Sequence, residues 1–141
     1  MSLRYLLDTC VLSEFVKPRP EPRVVDWLNA AELGRVFLSA VTIGEIQLGI
    51  SSLPASNRRT ELEIWLNATL PEQFSDRVLA LDAATFVAWG HMTAEQRRQG
   101  QPMAVMDSLI AATALQHRMV LVTRNVADFT PTGLSLLDPW E

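Results

Sequence analysis

Hydrophobic positions along the chain follow two alternating periods. Short apolar runs fall at Tyr5 to Leu7, Val36 to Leu38, Val78 to Leu81, Met119 to Val122 and Leu134 to Leu137, and runs of this length bounded by polar residues read as buried strands. Between them apolar positions recur at helical spacing. Val11, Leu12, Phe15 and Val16 follow the first run directly, and further helical stretches cover Arg23 to Glu32, Thr42 to Leu53, Thr60 to Leu70, Ala83 to Arg98 and Met103 to His117. This alternation predicts a three-layer α/β/α domain around a central parallel sheet of four to five strands, with right-handed crossovers. The prolines at 18, 20 and 22 mark a turn, and Gly100-Gln101-Pro102 separates two helices. No repeat, low-complexity tract or linker breaks residues 1–141, which read as one domain. The long connection from Leu38 to Val78 has room for a helical hairpin, expected to bury its spare apolar face against another chain.

Carboxylates interrupt the apolar pattern at four places. Asp8 ends the first strand and opens a helix, where open α/β sheets collect ligands; Asp8 or Thr9 acting as a helix cap explains the position equally well. Glu45, in VTIGEIQLGI, lies in the first turns of the helix after the second strand, and a favourable contact with the helix dipole is its simpler explanation. The flanking Gly44 and Gly49 point to a crowded backbone there. Asp107 is the sharpest case, because helical spacing sets Met103, Ile110, Ala111 and Ala114 on or beside its face. An unpaired charge against such a stripe is costly unless a partner or a metal compensates it. Asp128, in LVTRNVADF, falls in the turn after the strand ending at Val122, where an Asx-turn or cap also accounts for it. Thr123 and Asn125, past the same strand end, are placed to orient a carboxylate or a metal-bound water. The remaining acids look structural, with Asp82 a plain helix cap.

Like charges gathered at one end of one sheet need protons or cations to compensate them. An all-oxygen set favours Mg²⁺ or Mn²⁺ over zinc, and such ions activate water and clamp phosphodiesters. Composition narrows the choice further. Twelve basic against sixteen acidic residues leave a net charge of -4, which argues against a protein that coats nucleic acid by charge alone. Lys17 is the only lysine, and Cys10 the only cysteine, so no intrachain disulfide or cysteine-based zinc site exists. Cys10 reads as a buried inert thiol, and His91 and His117 as surface or structural residues. No apolar run approaches a membrane span and the start lacks the features of a signal peptide, which makes a cytoplasmic protein the expectation. Arg58-Arg59 and Arg97-Arg98 are the candidate contacts for substrate phosphates, though solvated helix ends explain both pairs.

The blocks LLDTCVLSE, SAVTIGEIQLGI, MDSLIAATALQH, LVTRNVADF and LLDPW, in this order, resemble the PIN-domain ribonucleases, specifically the toxins of VapBC-type toxin-antitoxin modules and the related FitB-like proteins. The resemblance spans nearly the whole chain and implies a PIN-like fold. It also implies a Mg²⁺- or Mn²⁺-dependent endoribonuclease, usually a homodimer, held inactive by a small antitoxin through which alone it meets DNA. It carries the catalytic, metal-binding acids onto Asp8, Glu45, Asp107 and Asp128, with Thr123 and Asn125 in support. One departure is Cys10, where such proteins commonly have asparagine. Two rival enzyme classes fail on single residues: a haloacid-dehalogenase-like phosphatase needs an aspartate where Cys10 stands, and a receiver domain needs more acids near Asp8 and a late lysine. The non-enzymatic alternative is a weakly active or inactive module that joins an antitoxin in a DNA-binding repressor.

Overall fold

In the computed structural model, which describes residues 2–141, the five apolar runs assemble into one parallel sheet. Its strands are β1 (Tyr5–Leu7), β2 (Val36–Ser39), β3 (Val78–Leu79), β4 (Val120–Val122) and β5 (Leu136–Leu137), in the spatial order β3-β2-β1-β4-β5. The two edge strands are shorter than their apolar runs, since each has a neighbour on one side only. The helices are α1 (Thr9–Phe15), α2 (Pro22–Ala30), α3 (Ala40–Ser51), α4 (Asn57–Ile64), α5 (Leu70–Gln73), α6 (Ala83–Arg98), α7 (Val105–His117) and α8 (Val126–Phe129).

Strand period sorts the side chains into two cores. Leu7, Val36, Leu38 and Val122 face one side and pack with Val11, Leu12, Ile46, Ile50, Leu66 and Leu70. Leu6 and Leu121, adjacent in register, face the other and meet Ile110, Ala111 and Ala114 of α7. The alanines of α7 let that helix lie close against the sheet.

The expected helix from Thr60 to Leu70 is longer and is not uniform. Between α4 and α5 the chain makes a π-helical turn over Trp65–Thr69, where the Leu70 amide donates to the Trp65 carbonyl. Pro71 has no amide to donate back to Asn67, and the wider turn accommodates that gap. Only part of the hairpin's apolar face is spare: Ile46, Ile50, Leu66 and Leu70 are buried in the chain's own core, and Leu48, Leu53 and Ile64 are left exposed. Gly44 and Gly49 are not crowded, because a Cβ added at each meets nothing within 4 Å. Among the described residues no helix is long and apolar enough to cross a membrane.

Glu14 anchors the turn between α1 and α2. It is buried, and its carboxylate accepts from Lys17 Nζ at 2.9 Å and from the Glu21 amide at 3.0 Å. The Lys17 hydrogen bond first, and the Glu21 amide next, hold its carboxyl below the ordinary 4.5. A carboxylate with a lowered folded pKa adds stability above its unfolded value and loses it as pH falls through the folded one. Glu14→Gln is expected to lower the Tm at neutral pH by about 2–4 °C. The variant should also lose less stability than the parent on acidification, as thermal scans at neutral and acid pH would measure.

Candidate active site

The topology carries the four acids to one edge of the sheet. Asp8 follows β1 directly, Glu45 lies in the helix that continues β2, and Asp128 lies in α8 just past β4. Asp107 arrives from the opposite direction. The α7 helix ends at Arg118, which adopts a left-handed turn (φ 55°), and passes at once into β4. Its first turn, with Asp107, therefore stands at the carboxyl edge. Asp128 sits inside a one-turn helix rather than in a bare turn, and is exposed.

Asp8 is 4% exposed and its two oxygens are used differently. Oδ1 accepts from the Thr9 amide at 2.8 Å, which is the cap expected of it. Oδ2 accepts from Thr123 Oγ1 at 2.8 Å and from Cys10 Sγ at 3.6 Å. The buried Thr123 hydroxyl in turn accepts the Asn125 amide at 3.0 Å. Thr9 Oγ1 donates to Glu45 Oε1 at 2.6 Å and lies 3.2 Å from Thr42 Oγ1. One short segment, Asp8-Thr9-Cys10, thus touches β4, α3 and its own helix.

Cys10 is not inert. Burial first, and the Asp8 charge next, push its thiol up to about 11, so it is neutral at physiological pH and donates to Asp8. Asp107 is half-buried, and its carboxyl is raised by burial first and then by the charges of Asp8, Glu45 and Asp128 in turn. Each of the other three acids is therefore close enough to be felt at Asp107. Among the described residues no three Asp, Glu, His or Cys side chains converge into a ready-made metal cage. That suits Mg²⁺, which keeps several waters and takes one or two carboxylates plus substrate phosphate. The hydrogen-bond donors to Asp8 and Glu45 are all neutral, and among the described residues no basic side chain forms an ion pair with either. The donor set fits a hard divalent cation.

The supporting residues divide. Thr123 lies inside the network, whereas Asn125 joins it through its backbone and its exposed side chain borders a polar cleft of about 420 Å³ with Asp128 and Arg124. The arginine pairs divide as well. Arg59 is held by Glu63 at 3.2 Å and the Leu53 carbonyl at 3.0 Å, and Arg98 by Glu95 at 2.6 Å. Arg97 borders a small cavity between α6 and α7, while Arg58 shares a cleft with Thr9 and Glu45. Beyond its place beside Asp8, nothing in the chain's pattern marks Thr9 as the link to Glu45. For Glu14 the available signal was Lys17 one helical turn on.

A family model described as PIN domain matches residues 5–129. The VapC ribonuclease Y4jK of Sinorhizobium fredii is 32% identical, over 96% of this chain and 97% of its own. Toxin FitB of Neisseria gonorrhoeae is 33% identical, over 96% of this chain and 97% of its own. The crystal structure of FitAcB from Neisseria gonorrhoeae superposes with a TM-score of 0.92 at 33% identity, covering 97% of this chain and 99% of that one.

Proposed function

The chain belongs to the PIN-domain family, and on that premise we propose that it is a divalent-metal-dependent endoribonuclease, the toxin of a VapBC-type pair, cutting RNA at a carboxylate centre of Asp8, Glu45, Asp107 and Asp128. The observation that carries this reading is geometric: Asp8, Glu45, Asp107 and Asp128 come from four separate elements to the same sheet edge, where the Thr9 hydroxyl ties Glu45 to the Asp8 segment. A chain without a cationic ligand has no reason to gather four carboxylates there, since each repels the others. The similar Y4jK is a VapC ribonuclease by name, and FitB a toxin.

Mg²⁺ or Mn²⁺ bound there supplies a lowered water pKa and charge stabilisation for a phosphodiester. The chain's own residues do the positioning. Thr123 and Cys10 fix one oxygen of Asp8, the Thr9 amide fixes the other, and the Thr9 hydroxyl sets Glu45. Asp107 and Asp128 complete the acid face, and Asn125 and Arg58 stand beside it for substrate contacts. Arg59, Arg97 and Arg98, none of which lines the cleft shared by Thr9 and Glu45, are lesser candidates for RNA. A cognate antitoxin is the partner, and a basic side chain from it competing for these carboxylates would silence the site. Exposed Phe86 and Val87 on α6 and Val105 and Met106 on α7 supply apolar surface for a homodimer.

The test is cleavage of a mixed RNA pool by purified, antitoxin-free protein, with and without Mg²⁺ or Mn²⁺, beside Asp8→Asn. Metal-dependent cutting lost in the variant is the expected result; equal cutting by parent and variant rejects the assignment. Cys10→Asn, which keeps a neutral donor near Asp8, is expected to retain or raise the rate. Cys10→Val removes the donor and should lower it roughly tenfold, as loss of a group that orients a metal ligand does.

A further inference from the structure

A cleft of about 280 Å³ runs from the acid edge between α1 and the α3–α4 hairpin. Thr9 and Glu45 line both the cleft and the acid centre, so the two are continuous. The floor is apolar, with Ile46, Ile50, Leu62 and Trp65, and Gly49 leaves one wall open. The rim is basic. Arg58 Nη2 reaches across to the Val16 carbonyl at 2.5 Å and meets Glu61 only at 3.8 Å, which fixes its position while leaving other donors free. Lys17, paired with Glu14, keeps a side chain that is 57% exposed. Trp65 opens the π-helical turn, a distortion that recurs at functional sites.

An aromatic, apolar floor under a cationic rim is the chemistry of single-stranded nucleic acid, whose bases stack and whose phosphates seek cations. The protein as a whole carries a charge of -4, so attraction of a polyanion to this edge depends on such local cations. We infer that this cleft holds the RNA strand next to the scissile phosphate, with Trp65 as a stacking platform for a base and Lys17 and Arg58 as phosphate contacts. The inference rests on the ribonuclease reading and adds to it the path of the strand and the residues that grip it. A strand with one phosphate at Asp8 and Glu45 has its next nucleotide beside Thr9, at the mouth of the cleft.

The experiment is fluorescence anisotropy of a labelled, mixed-sequence single-stranded RNA across a salt series, with Mg²⁺, in an Asp107→Asn background that stops turnover. Trp65→Leu is expected to weaken binding about tenfold or more with an unchanged salt slope, and Trp65→Phe to restore it. Arg58→Met and Lys17→Met should each weaken binding and flatten the log–log salt slope by about 0.7, while Arg58→Lys keeps the slope. Arg23→Ala, on the exposed face of α2, serves as the unaffected control, and thermal scans establish that each variant is folded. Parent-like affinity and slope in folded Trp65→Leu and Arg58→Met overturn the inference and leave the ribonuclease reading intact. Unchanged RNA binding together with weakened binding of an amphipathic helical peptide assigns the cleft to a protein partner instead. A background protein that binds no RNA overturns the ribonuclease reading and this inference with it.

Discussion

Replacing Asp107 by asparagine is expected to act in two opposite directions, lowering metal-dependent RNA cleavage by about 10²–10³-fold while making the metal-free protein more stable. The loss has the size seen when one preorganised charge-stabilising group is removed from an active site. The gain follows from what raises the Asp107 carboxyl above its ordinary 3.8, namely burial and then the charges of Asp8, Glu45 and Asp128. A raised folded pKa means that the ionised form costs folding stability. The cost is fully present at neutral pH and is relieved as pH falls through the folded value toward the unfolded one. Asparagine removes the charge and keeps the shape, so in EDTA the variant should melt about 2–4 °C higher. Where Asp107 is a metal ligand, as proposed, the variant should also gain less Tm than the parent on adding Mg²⁺. Thermal scans with EDTA and with Mg²⁺, beside the cleavage assay, separate the outcomes. A variant that melts lower in EDTA contradicts the repulsion, and one that cuts like the parent removes Asp107 from the site.

This dual sign is the reason Asp107 was the most legible acid in the sequence. A charge on a helix stripe shared with Ile110, Ala111 and Ala114 violates the pattern of its own element, and such a violation is visible without coordinates. The strand runs were legible for the same local reason, and together with their alternation they were enough to state the three-layer parallel fold. What escaped the sequence depends on contacts between distant segments. Thr9 and Glu45 are 36 positions apart, and nothing in either neighbourhood says that a hydroxyl of one meets a carboxylate of the other. Cys10 looked like a small buried thiol, and only the approach of β4 and Asp8 makes it a donor. The pair Arg58-Arg59 shows the limit most plainly: adjacent helical residues point about 100° apart, and that angle sends Arg59 to Glu63 and Arg58 to the cleft. The hairpin itself is legible from its apolar spacing, but the share of that face taken by the chain's own first core cannot be read from periodicity.

Thr123→Val should have the second largest effect, and it isolates orientation from charge. The substitution is close to isosteric and removes one hydroxyl that does two things, donating to Asp8 Oδ2 at 2.8 Å and accepting the Asn125 amide at 3.0 Å. Thr123 is fully buried, so no solvent replaces either bond. Leaving buried polar groups unpaired costs about 1–3 kcal/mol each, and a lower Tm is expected on that ground alone. The larger consequence is functional. A residue that orients a metal-binding carboxylate typically contributes 10–100-fold to metal affinity or activity, and here the same hydroxyl also ties the start of α8, which carries Asp128, to Asp8. Both carboxylates should therefore loosen together, weakening Mg²⁺ binding by roughly 10–100-fold by calorimetric titration. Thr123→Ser keeps the hydroxyl and loses only a methyl group, so it should bind metal within a few-fold of the parent despite some loss of packing. If serine and valine weaken metal binding equally, the methyl group and not the hydrogen bond matters, and the network around Asp8 is packing rather than positioning. If serine rescues binding while both variants melt below the parent, the hydroxyl is what aims Asp8 at the cation.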